Sequence, residues 1–233
     1  MGGSCFEQLG DAPSPGDREL PELDNFFPVS LFPVQSQPAS SSESNALNPA
    51  AGPGSGGALF ELDGPWPTAE HYFQAAKHPQ DEQLRERIRA APTCTGPGGC
   101  FQLGNQGGAL RPDWEVVKVD VMYAANLAKY TQAPGLRELL VSARGRIRAK
   151  GAQDMWATWN EVLLERIREE LREGPDRDAI VLAERVAMMA AYQAAARGLP
   201  GEHAERAVTA ITRQAAKREL QPAVLGGPAA AAH

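Results

Sequence analysis

Histidine and cysteine are scarce in this chain, with four of the first and three of the second among 233 residues. That excludes a disulfide-stapled scaffold, which needs a dense and even cysteine set. Read along the sequence, Cys94 and Cys100 lack the close pairing and histidine partners of a zinc site. No metal or other cofactor is therefore expected, and reduced thiols in a cytoplasmic protein are the simplest account. Long apolar runs are also missing. No stretch approaches the roughly 20 residues that cross a bilayer, so no membrane partner is expected. The opening residues lack the basic-then-apolar pattern of a secretory leader. Met1-Gly2-Gly3-Ser4-Cys5-Phe6 approaches an acylation signal, but Phe6 stands where such a signal has Ser or Thr. Positive charge is in short supply as well. A formal net charge of −6 argues against tight, non-specific binding to nucleic acid. The one concentrated basic run holds Arg144, Arg146, Arg148 and Lys150. It reads equally as a phosphate-attracting border or as a solvated edge strand.

What is present is a chain that is 42% hydrophobic, enough for one domain of ordinary size with extensions. Residues 1–23 are polar and hold Pro and Gly, which reads as a flexible N-terminal tail. The domain runs over residues 24–173. Within it, residues 35–57 are almost purely loop-forming and read as a disordered insertion, one that costs little because closure entropy grows only logarithmically with length. Apolar spacing, caps and breakers predict helices over 68–78, 81–90, 113–129, 135–142 and 158–173, with an irregular Gly-rich stretch at 92–112. Asp113 is expected to cap the third of these helices. Short apolar segments near Phe27, Phe60 and Ile147 are expected to form strands. Ala-rich helices are expected over 178–197 and 202–219. They make up a C-terminal helical extension, residues 174–221, that packs on the domain or on a partner helix through 178–219. A flexible tail, 222–233, follows. The fold class is α+β, predominantly helical with a small β-sheet.

The most informative stretch is Trp66 through Lys77, WPTAEHYFQAAK. It places Glu70, Gln74 and Lys77 at i, i+4 and i+7, so a carboxylate, an amide and an amine share one helical stripe. Such a stripe suits acid–base and nucleophilic chemistry. It is equally a common pattern for a solvated surface.

The segment resembles the signature of the NADAR family of N-glycosidases, which reads roughly W-P-T-x-E-H-Y-F-Q-A-x-K. Three further blocks resemble the family in the same order. They are Asp24-Asn25-Phe26-Phe27-Pro28, Asp113-Trp114-Glu115-Val116-Val117-Lys118 with Val121-Met122 and Lys129-Tyr130-Thr131-Gln132, and Asp154-Met155-Trp156. The resemblance implies hydrolysis of an N-glycosidic bond between ribose, as ribose phosphate or ADP-ribose, and a nitrogenous base. The substrate classes it implies are intermediates of riboflavin biosynthesis and ADP-ribose on guanine, in the second case with the base on nucleic acid.

By the same resemblance Glu70, Lys77 and Asp154 are the catalytic candidates. Asn25, Phe26, His71, Gln74, Trp156 and Asn160 are the substrate-binding ones. For several of these an ordinary structural role competes: a Glu70–Lys77 ion pair, core packing for Trp156, a buried and satisfied imidazole for His71. Trp66 and Trp114 read as core. Two departures from the family pattern stand out. The glycine expected after Trp156 is absent and the loop there is short. The family's L-G-R before the D-W-E helix is here Leu103-Gly104-Asn105. Both fall on elements that would hold the substrate. An alternative to the enzyme is thus a catalytically weakened module that binds ADP-ribose or a related nucleotide.

Overall fold

The computed structural model describes residues 64–150 and 154–197, together with the backbone of two strands at 5–9 and 19–20. The expectations for Asn25, Phe26, Phe27, Phe60, the 35–57 insertion, the 202–219 helix and the final tail lie outside these residues. Seven helices and three strands follow in the order β1 Cys5–Leu9, β2 Glu19–Leu20, α1 Ala69–Ala76, α2 Glu82–Arg89, α3 Cys100–Gln106, α4 Trp114–Gln132, α5 Pro134–Ser142, β3 Arg146–Lys150, α6 Met155–Leu171 and α7 Ala179–Ala196.

The helix starts follow from local chemistry. Thr68 holds an extended backbone, and its Oγ1 accepts from the His71 amide at 3.1 Å, capping α1. Asp81 does the same for α2 through the Leu84 amide at 2.9 Å, and Asp178 caps α7 through the amides of Ile180 and Val181. Asp113 does not cap α4. Its carboxylate forks instead with Arg111 at 2.6 and 2.9 Å, a charge-assisted pair that outcompetes a neutral amide. Helix α6 begins at Met155, three residues before the expected start at Thr158, so Trp156 lies in its first turn.

The Gly-rich stretch read as irregular contains α3. Gly99 precedes it without a side-chain cap, which is why no start signal was visible. Within α3, Gly104 lies against Gln74 of α1: a methyl group on Gly104 would sit 2.8 Å from Gln74 Cβ and closer still to its amide oxygen. Glycine is there to let two helices touch, not to break one.

The sheet has the order β2-β1-β3 and is antiparallel throughout. Phe6 pairs with Ala149 and Gln8 with Ile147. The Ile147 segment is a strand as expected. Its neighbours, however, come from residues 1–23, read from sequence as a loose tail. Strand β3 is also tied to α6, because Glu165 accepts from the Ile147 amide and Glu161 from the Ala149 amide.

Apolar side chains gather in two clusters. The larger packs α1 against α2, α4, α6 and α7 around Trp66, Phe73, Ile88, Val121, Trp159 and Tyr192. The smaller joins α4, α5, β3 and α6 around Tyr130, Leu140, Ile147 and Ile167. Helix α7 is apolar and long enough to cross a membrane by length and composition alone, although Glu184 and Arg185 interrupt its apolar sequence. Its inward face is nonetheless occupied by the domain. Tyr192 stacks edge-on against Trp159 at 5.0 Å and donates to the Glu115 carbonyl. Arg185 pairs with the buried Glu165 at 2.7 Å. Gln193 donates to Asp120, whose burial pushes its pKa up to about 6.

Candidate active site

All eight residues of α1 are buried, including Glu70, His71 and Gln74. A helix with charged and amide groups sealed on both faces is costly unless those groups are paired or have work to do. One face carries the expected stripe. Gln74 Nε2 donates to Glu70 Oε1 at 2.7 Å, while Gln74 Oε1 is buried with no hydrogen-bond partner among the described residues. That acceptor is packed against Gly104 of α3, where no donor meets it. At the end of the helix the Lys77 amine donates to Asn105 Oδ1 at 2.7 Å. It also lies 5.5 Å from the Phe73 ring centre and 5.8 Å from that of Trp114.

These surroundings set the charge of the amine. Burial pulls the pKa of Lys77 down to about 8; Glu70 works in the opposite direction, and nearby Lys118 adds to the lowering. A lysine with that pKa is neutral in about a tenth of molecules at pH 7, against fewer than about one in a thousand for an ordinary lysine. A buried, partly neutral amine beside a carboxylate is the arrangement a lysine nucleophile requires.

The other sequence candidates divide. Trp156 is half-buried and stands edge-on to Phe73 at 5.2 Å, which brings the first turn of α6 to the Lys77 side of α1. Asn160 is buried one turn further along α6. Asp154 is exposed at the start of α6 and makes no capping bond. Its φ of 56° with ψ of −140° makes it the sole positive-φ residue other than glycine among the described residues. Strain of this kind costs on the order of 1–3 kcal/mol and clusters at functional positions.

His71 does not join the stripe, and its ring is bonded within the protein, as the competing reading of a buried and satisfied imidazole expects. Nδ1 lies 2.8 Å from Thr68 Oγ1 and 3.7 Å from Cys94 Sγ, and Nε2 lies 3.0 Å from the Ala91 carbonyl oxygen. One residue on from Glu70, a helix turns by about 100°, so His71 faces an adjacent wall a little over a quarter-turn away. There it meets both thiols that seemed isolated in the sequence. His71, Cys94 and Cys100 are all buried, with their ligand atoms within 4.8 Å of one another. Burial opposes the charged imidazole. The bonds to Cys94 and to the Ala91 carbonyl, with the charges of Cys94 and Glu70, outweigh it and hold His71 above its ordinary pKa. The Cys94 thiol is pulled down to about 5, first by the hydrogen bond from Cys100 and then by His71 and Thr68. Cys100 is pushed up by the same bond and by burial.

A profile of the NADAR domain matches residues 34–172, more than half of the chain. The chain belongs to the NADAR family. It is 44% identical over 85 residues to the N-glycosidase YbiA of Shigella boydii, an overlap of 36% of this chain and 51% of the relative. It is 36% identical over 92 residues to the chloroplastic riboflavin biosynthesis protein PYRR of Zea mays, covering 35% of this chain and 14% of that one. The NMR structure of Escherichia coli YbiA covers 46% of this chain and 68% of its own, at 33% identity and a TM-score of 0.38. The chain thus spans about half the length of the YbiA relative it matches.

Membership sharpens one departure. Where the family pattern has arginine after Leu-Gly, Asn105 here takes the Lys77 amine as its partner. A neutral acceptor holds the amine in place without fixing its positive charge. From sequence, Asn105 reads only as a departure on an element that would hold the substrate. Its 28-residue separation from Lys77 hid the pairing. The basic run at and before β3 is likewise partnered: Arg148 bonds Glu161 at 2.9 Å and Arg144, two residues before the strand, lies 3.6 Å from Asp176. That favours the edge-strand reading.

Proposed function

We propose that this chain is an N-glycosidase that cleaves the bond between the anomeric carbon of a ribose and a nitrogenous base. The observation carrying this reading is the buried Glu70–Gln74–Lys77 stripe with its partly neutral amine. In the reaction the neutral Lys77 amine attacks the anomeric carbon as the bond to the base breaks. The base leaves with the electron pair of that bond and takes up a proton. The Lys77 nitrogen loses its proton as the sugar ring opens to an imine, and water then hydrolyses the imine to release the sugar and restore the amine. Glu70 stabilises the positive charge that develops at the anomeric carbon and activates the water, roles worth typically about 10²–10⁴ in rate. The Gln74 amide, bonded to Glu70, orients that carboxylate and hydrogen-bonds a sugar hydroxyl or a base edge. The half-buried Trp156 ring offers a flat face for the departing base. Asp154 and Asn160 border the substrate from α6.

The substrate is a ribosylated base carried as ribose phosphate or ADP-ribose. The names of the YbiA and PYRR relatives support an N-glycosidase in riboflavin-related metabolism. ADP-ribose on guanine, free or on nucleic acid, is the second substrate class, handled in the cytoplasm.

A binding module with weakened catalysis is the other reading. It is favoured by the start of α6 at Met155, which leaves no glycine loop after Trp156 to approach a phosphate closely.

Both readings are separated by incubating the full chain with ADP-ribosylated guanosine and with ribosylamino-pyrimidine intermediates, followed by mass spectrometry. The enzyme reading expects release of free base from at least one substrate and loss of most turnover in Glu70→Gln, which is nearly isosteric. Binding without release of base by the wild type would favour the module. Full activity in Glu70→Gln would remove Glu70 from the mechanism.

A further inference from the structure

We propose that His71, Cys94 and Cys100 form a metal site for a thiophilic d¹⁰ cation, with zinc as its natural occupant. Three lines of geometry meet there. The first is distance. Zinc–sulfur and zinc–nitrogen bonds of about 2.3 and 2.0 Å in a tetrahedral site place ligand atoms about 3.5–3.8 Å apart. The His71 Nδ1 to Cys94 Sγ separation is already 3.7 Å, and all three ligand atoms fall within 4.8 Å. Small side-chain movements close the remainder.

The second is tautomer. A carbonyl oxygen only accepts, so the 3.0 Å contact to Ala91 assigns the proton to Nε2 and leaves the Nδ1 lone pair on the side of Thr68 and Cys94. Metal-bound histidines are held in this way, by a bond from the far ring nitrogen to a backbone carbonyl. The third is ligand chemistry and burial. Thiolates with an imidazole select zinc or copper(I) over oxygen-loving cations. Cys100 and His71 are sealed from solvent, where uncompensated charge is costly. Two thiolates neutralise a divalent ion and leave a monovalent one with net charge, so the buried pocket favours zinc. Thr68 Oγ1, hydrogen-bonded to Nδ1 at 2.8 Å and to Cys94 Sγ at 3.4 Å, borders the fourth position, which it or a water fills once the metal displaces that bond.

Binding displaces the protons the trio shares in the metal-free chain. The ligands come from α1, from the loop after α2 and from the first residue of α3. Zinc would therefore fasten the Gly-rich loop to the helix that bears Glu70 and Lys77. The inference stands whether or not the chain is a glycosidase.

The test uses the full reduced chain, refolded from denaturant with cobalt(II) as a spectroscopic probe and then passed through a desalting column. The expected result is about one cobalt per chain, with an intense near-ultraviolet thiolate-to-cobalt band and the visible bands of tetrahedral cobalt. Zinc should abolish all of them. Cys94→Ser and Cys100→Ser should each weaken the band at least about tenfold, with circular dichroism checking that both variants fold. Should either fail to fold, thiol counting on wild type decides. Under mild denaturant the zinc-loaded chain should react slowly at Cys94 and Cys100, and the metal-free chain rapidly. Absence of the thiolate band in wild type, its survival in both folded cysteine variants, or equal labelling of the two thiols with and without zinc would each overturn the proposal.

Discussion

At the scale of single residues, the chemistry depends on how the Lys77 amine is held. Asn105 accepts from it without adding charge, burial lowers its pKa to about 8, and Glu70 sits on the same buried stripe. If the neutral amine is the reacting form, turnover should rise with pH through about 8, because only above that value is Lys77 mostly deprotonated. Asn105→Asp would put an anion against the amine and favour its charged form. The rising limb should then move to higher pH, and activity near pH 7 should fall by roughly tenfold for each unit the limb moves; an unmoved limb would detach Lys77 from the profile. The Glu70–Gln74–Lys77 stripe was legible in the sequence because helical periodicity alone fixes which side chains share a face. The partners of those residues were not. Asn105, Cys94 and Cys100 reach α1 from 23 or more residues away, across a glycine-rich stretch with no periodicity to place them.

Among the elements, α1 through α7 were mostly visible in advance, and the exceptions have physical causes. Helix α3 was hidden because the glycines flanking it mimic a loop, while the single glycine within it, Gly104, serves close packing. This separates two expectations for Gly104→Ala. Helix propensity alone favours alanine by about 1 kcal/mol. The contact with Gln74 instead forces α3 away from α1, and overpacking of this kind costs about 1–3 kcal/mol. The packing argument predicts a lower Tm by calorimetry, together with impaired turnover because Gln74 and Asn105 move. A raised Tm would mean that the two helices are less tightly apposed. The capping role expected of Asp113 failed for a related reason: a cap is a weak local bond, and an adjacent arginine offered a stronger one.

For the whole molecule, the packed unit runs past the end of the profile match. The NADAR profile closes at residue 172, and the Ala-rich helix beyond it is expected from sequence to pack on the domain or on a partner helix. Tyr192 and Met189 join the main core, and Arg185 neutralises Glu165, which also holds the β3 backbone. Removing one partner of a buried pair costs about 3–5 kcal/mol, and truncation would also bare the Trp159 side of α6. A chain ending at residue 173 should therefore aggregate or lose at least about 10 °C in Tm. A truncated chain as stable as the full one would show that α7 adds nothing to the stability of the domain. The sheet was equally hard to foresee. Strand pairing joins residues more than 130 positions apart, and neither Cys5–Leu9 nor Glu19–Leu20 has the apolar alternation that marks a half-buried strand.

The central claim is that Lys77 bonds covalently to the ribose during turnover. Borohydride added while wild type turns over its best substrate tests it directly, with the labelled peptide identified by mass spectrometry. The account predicts a reduced sugar adduct on Lys77, absent from Lys77→Ala and from wild type without substrate. Continued release of base with no adduct on Lys77, or an adduct on another lysine, would contradict it.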